Sequence, residues 1–209
     1  MNALMVLGGV ALAGFVLYRN FWRAILCLAP STMSVEIEDP PDRIELPLEL
    51  SAVAKQLEAL GFAPIGSRRE KPRFGPASLA YDYANAQDKV FATLSVGRDG
   101  KPHLYFLTAF SGGGFVITAN YRRPAKEIPG HYLAGSLDDF PPERVYKAHL
   151  KRIESLPASG EYTQDGRLGA AQAWVAGPGR SELRQQNLAA LVWTAGTLGI
   201  VAAAVFGKR

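Results

Sequence analysis

The stretch VFATLSVGRDGKPHLYFLTAFSGGGFVITANY, residues 90–121, consists of three apolar runs separated by two short joints. The runs at 90–96, 104–110 and 115–121 are of strand length and rich in β-branched and aromatic residues. The joints, Gly97 with Arg98, Asp99 and Gly100, then Ser111 with Gly112, Gly113 and Gly114, have the size and composition of hairpin loops. Strands joined this way are antiparallel, so the stretch predicts a β-meander. On its N-terminal side Ala77, Leu79, Tyr81 and Tyr83 alternate with Ser78, Ala80, Asp82 and Ala84, giving a fourth strand. Residues 62–65 and 132–137 extend the expectation to as many as six strands, although Pro64 and Pro129 weaken both ends.

Helical periodicity flanks the meander. Leu50, Val53, Leu57 and Leu60 repeat at helical spacing over residues 49–60, and Gly61 offers a left-handed C-terminal cap. After the strands, Asp138, Asp139, Pro141, Pro142 and Glu143 announce a second helix running to about residue 156, with Tyr146, His149, Leu150 and Ile153 on one face. The predicted class is α+β, an antiparallel meander of four to six strands covered by two helices. In domain terms, residues 49–156 form that domain. An acidic, proline-containing lead (30–48) precedes it, and a Gly/Ala-rich linker (157–180) follows.

The two ends have a different character. Residues 1–17 carry no charged side chain and run into Tyr18, Arg19, Phe21, Trp22 and Arg23, so 1–29 reads as a transmembrane helix with an interfacial extension. A cleaved signal peptide would want a positive n-region, which Met1, Asn2 and Ala3 lack. Residues 188–207 are again uncharged, and 181–209 reads as a second transmembrane helix. Gly9 with Ala13, and Ala195 with Gly199 and Ala203, are small residues four apart, a spacing that suits helix packing within the pair or with a second copy.

The 209 residues hold 23 Lys and Arg against 19 Asp and Glu, a net charge of +4 and a pI near 9.2. That total does not indicate nucleic-acid binding. Residues 1–30 hold two Arg, and 176–209 hold four basic residues and one acid. The 145 between them hold 17 basic and 18 acidic side chains, which leaves no broad positive field. The charge belongs to the membrane flanks. Arg19, Arg23, Arg180 and Arg184 on the domain side outweigh Lys208, Arg209 and the amino terminus on the far side, which predicts a cytoplasmic domain.

Within the domain, Arg68, Arg69, Lys71 and Arg73 fall in six residues with only Glu70 against them. In a doubly tethered domain they are candidates for contact with anionic lipid headgroups. Catalytic signals are weak. His103, His131 and His149 match no ligand spacing, the single Cys27 lies in the first apolar segment, and no P-loop or nucleophile motif is present. No metal, cofactor or catalytic residue is expected. The function expected is a non-catalytic binding module at the membrane, with lipids, a protein partner or a small apolar ligand as its target. The rivals are an enzyme with a site near Tyr81, Tyr83, His103 and Tyr105, and an accessory subunit recognised through Gly9, Ala13, Gly199 and Ala203.

Overall fold

The computed structural model describes residues 3–97 and 99–206 and contains two compact units. One gathers residues 35–70 and 77–174, the other residues 1–34, 71–76 and 175–209.

The larger unit is α+β. Its order is β1 (Ser34–Ile37), α2 (Leu48–Ala59), β2 (Ala63–Lys71), β3 (Ser78–Asn85), β4 (Val90–Val96), β5 (Pro102–Phe110), β6 (Gly114–Ala119), β7 (Lys126–Ile128), β8 (Tyr132–Ser136), α3 (Pro142–Ile153) and α4 (Gln164–Ala176). All eight strands form one sheet in the order β1-β2-β3-β4-β5-β6-β8-β7. The meander from β2 to β6 is antiparallel throughout. Beyond it β8 runs parallel to β6, because the twelve residues after Ala119 pass outward through β7 and return. A parallel neighbour needs a crossover of that length, which a hairpin cannot supply. The expected four to six strands thus become eight, and β1 turns the acidic lead into an edge strand. At the β5–β6 joint Gly112 and Gly113 have φ of +99° and +79°, so the glycine run is a hairpin turn.

The sheet has two covered faces. On the first, Leu94, Leu104, Phe106 and Val116 pack against Leu50 and Leu57 of α2 and Val145 and Tyr146 of α3. Each fully buried Leu or Phe there contributes about 1.5–3 kcal/mol. Pro142 occupies the first position of α3, but the cap residue is Pro141 and no Asp side chain caps the helix. On the second face Phe91, Leu107, Phe115 and Ile117 pack against Tyr162, Ala170 and Trp174. The stretch expected to be a linker is therefore corrected: α4 forms within it and covers this face. Phe91, Leu107, Phe115 and Ile117 alternate with first-face residues along β4, β5 and β6, so one helical layer could not bury them all.

The smaller unit holds α1 (Ala3–Leu28) and α5 (Gly179–Phe206), together with the β2–β3 loop Lys71–Pro76. Both helices are long and apolar enough to cross a membrane, over Leu7–Leu28 and Gly179–Phe206. They pack on each other, with the end of α1 beside the start of α5. Arg23 Nε donates to Asn187 Oδ1 at 3.1 Å, and the Cys27 thiol donates to the Arg184 carbonyl at 3.4 Å. On α5 the buried Leu183, Asn187, Ala190 and Thr194 recur at spacings of four, three and four, the seam of two nearly antiparallel helices. Of the two packings expected of the small residues, the one within the pair is not what forms this seam. A Cβ at Gly9 or Gly199 would meet nothing within 4 Å, Ala195 and Ala203 are exposed, and only Ala13 is half-buried. The helices meet through another stripe, where side chains rather than glycines make the contact. Lys208 and Arg209 lie outside the described residues.

Candidate functional site

The second face carries a charged centre. Gly66, at φ +138°, forms a bulge in β2 that shifts its register against β3. A one-residue shift exchanges the faces of all later side chains, which brings Arg68 and Glu70 to the face of Asp82. Arg68 is 2% exposed; its Nη1 pairs with Asp82 Oδ1, and its Nη2 donates to Glu70 at 2.9 Å and to the Tyr105 hydroxyl at 2.7 Å. From α4, Arg167 is 1% exposed and donates through Nη2 to Tyr105 at 2.6 Å and to Thr93 at 3.0 Å. Its Nε lies 3.3 Å from Asp82 Oδ1, and Thr93 donates to that same oxygen at 2.6 Å. Burial opposes the charge on Arg68, yet Asp82, then Tyr105 and Glu70, outweigh it and raise its pKa well above the usual value.

The first face carries a neutral polar chain beneath α3. His149 is fully buried, with Nδ1 3.0 Å from Thr118 Oγ1 and Nε2 3.0 Å from Thr108 Oγ1. Burial, and then the nearby Arg152, lower its pKa to about 3. Nearby, the Tyr146 hydroxyl donates to Asp88 at 2.5 Å, and Asn85 donates to both. Burial, then Asp88, raises the Tyr146 pKa strongly.

No protein-family model, curated protein or solved structure matches this chain.

The basic cluster of the sequence divides four ways. Arg68 is an interior ion-pair member, so the expectation that it meets lipid headgroups is corrected: β2 continues through it to Lys71 instead of ending in a loop. Arg69 is exposed but paired with Glu38. Lys71 ends the strand, and Arg73 lies in the Lys71–Pro76 loop, both exposed. That loop turns tightly, with Gly75 N–H donating to the Pro72 carbonyl at 3.2 Å. It also sits on α1, since a Cβ at Gly75 would come within 2.6 Å of the Trp22 ring. Phe74 at the tip is 59% exposed, with the Arg73 guanidinium 5.4 Å from its ring centroid.

The residues proposed for an enzyme do not converge. Tyr81 and Tyr83 belong to the first face and Tyr105 to the second. His103 stacks on Tyr121 at 4.3 Å and lies 3.4 Å from Asp99. The first face is covered by α2 and α3, as the two-helix expectation had it. Among the described residues no cluster of His, Cys, Asp or Glu could hold a metal. The sequence reading missed Asp82 and Tyr105 as partners of Arg68, and Arg167 as the second arginine that shares them. Asp82 at a core position of an apolar strand was the available signal.

Proposed function

We propose that this chain is a two-pass membrane protein that presents its α+β domain on the cytoplasmic side and acts by binding at the bilayer surface. The reading rests chiefly on the Lys71–Pro76 loop, which belongs to the same unit as the two apolar helices and packs on Trp22. Trp22 lies among Tyr18, Arg19 and Phe21, the mixture of aromatic and basic residues that suits the headgroup layer. Lys71 and Arg73 supply charge for anionic headgroups, at about 1 kcal/mol each near a charged surface, and Phe74 supplies an apolar tip.

The test is a nitroxide label on Phe74→Cys in a Cys27→Ser background, with the full chain in nanodiscs. The serine hydroxyl introduced there keeps the donor to the Arg184 carbonyl. The label should be relaxed by a paramagnetic chelate fixed to headgroups, and more strongly when anionic lipid is included. Lys71→Gln with Arg73→Gln should remove that lipid dependence. Equal relaxation by a freely soluble chelate and by the headgroup-fixed one would overturn the reading.

A further inference from the structure

Two buried donors on the second face meet no acceptor in the structure, Arg167 Nη1 and Tyr162 Oη. Both border the same ring. Tyr162 stacks on Phe91 with centroids 4.8 Å apart, and the Arg167 guanidinium lies 5.9 Å from the Phe91 centroid. They also ride on one segment. Thr163 caps α4, its hydroxyl accepting from Gly166 N–H at 3.2 Å. Gly166 lies so close to the Glu161 carbonyl that a Cβ would not fit, so the turn that carries Tyr162 into α4 closes tightly on itself. The remaining edge of that guanidinium is committed to Thr93, Tyr105 and Asp82. Nη1 is thus the one nitrogen left over. Asp82 faces the committed edge, between Arg167 and Arg68, and Arg68 is shared with Glu70.

Buried donors are normally met, so two unmet donors beside one ring call for an explanation. Here one donor is cationic and the other a phenol that burial keeps protonated. The group that satisfies both is an oxygen-bearing anion, because a guanidinium N–H and a phenol O–H each bond an anionic oxygen strongly. We propose that Arg167 Nη1 and Tyr162 Oη form a binding site for a small oxyanion, a carboxylate or phosphate group, beneath α4. The site belongs to the larger unit and the Lys71–Pro76 loop to the smaller, and each is tested by its own variants.

The experiment follows thermal unfolding of the full chain by calorimetry. In neutral detergent the probes are inorganic phosphate and acetate. In nanodiscs they are phosphatidylglycerol against phosphatidylcholine. A ligand of the folded state raises the midpoint with concentration. At least one probe should do so, and which one assigns the source as a free anion or a lipid headgroup. Tyr162→Phe keeps the ring on Phe91 and loses only the hydroxyl. It should weaken the responding probe by about tenfold or more while leaving the unliganded midpoint unlowered, since it removes an unmet donor. Arg167→Lys should abolish the response. No shift with any probe would overturn the proposal, as would a shift that survives Tyr162→Phe unchanged.

Discussion

At His149 the direction of every hydrogen bond can be assigned from chemistry alone. Arg152 has only donors, so Thr118 Oγ1 accepts from it at 3.0 Å and turns its own proton to His149 Nδ1. At the other end the Lys89 carbonyl only accepts, so Thr108 donates to it and must accept from His149 Nε2. The ring is neutral with its proton on Nε2, and protonating Nδ1 would break the chain beside Arg152. With a folded pKa near 3 against about 6.5 unfolded, the unfolded state binds the extra proton between those values. Stability therefore is complete above pH 6.5 and declines as pH falls toward 3, by on the order of 5 kcal/mol at most. Urea unfolding of the full chain from pH 4 to 7 should show this slope, and His149→Ala should lower stability at pH 7 while flattening it. On the opposite face Asp82 is the buried counter-charge for two guanidiniums. Asp82→Asn keeps the shape but strands both, so a loss of about 3–5 kcal/mol is expected, well above the roughly 1 kcal/mol for Thr93→Val.

Among the elements, α4 shows how local and tertiary signals part company. Its sequence, QDGRLGAAQAWVA, has two glycines and little apolar periodicity, and beyond the Thr163 cap and Asp165 in the first turn little local distinguishes it from a linker. What makes it a helix in place is the second apolar face of the sheet, which only the assembled strands create. The meander, α2 and α3 were legible because their periods of two and 3.6 are local properties. The parallel β6–β8 pairing was not, since strand order depends on where β7 leads the chain. Arg68 was misread for the related reason that Gly66 reverses the facing of the strand after it, and a bulge has no reliable local mark. Asp82, Tyr105 and Arg167 are 14 to 99 residues from Arg68 in sequence, so no motif could have joined them. If α4 covers the second face, a fragment of residues 35–157 should expose Phe91, Leu107, Phe115 and Ile117 and aggregate. A fragment of residues 35–174 should stay monomeric by light scattering. Equal behaviour of the two would mean that α4 is dispensable to that face.

For the whole molecule the question is orientation, and charge near the helix ends decides it. Both helices begin or end on the domain side with arginines, Arg19 and Arg23 on one and Arg180 and Arg184 on the other, against Lys208 and Arg209 beyond the far end. Arg23 is partly committed to Asn187 and the Gln186 carbonyl, while Arg180 and Arg184 are exposed. In the proposed orientation the arginine side is retained in the cytoplasm and the C-terminus is carried across. In a bacterial host, alkaline phosphatase fused after Arg209 should therefore be active, and a green fluorescent protein there should stay dark. The bias is modest, so it should also be reversible. Four lysines added after Arg209, with Arg180→Gln and Arg184→Gln, should exchange the two reporter signals. Fluorescence from the unmodified fusion would place the domain on the other side, where anionic lipid is scarcer, and would remove the electrostatic reason for Lys71 and Arg73 to face that bilayer surface.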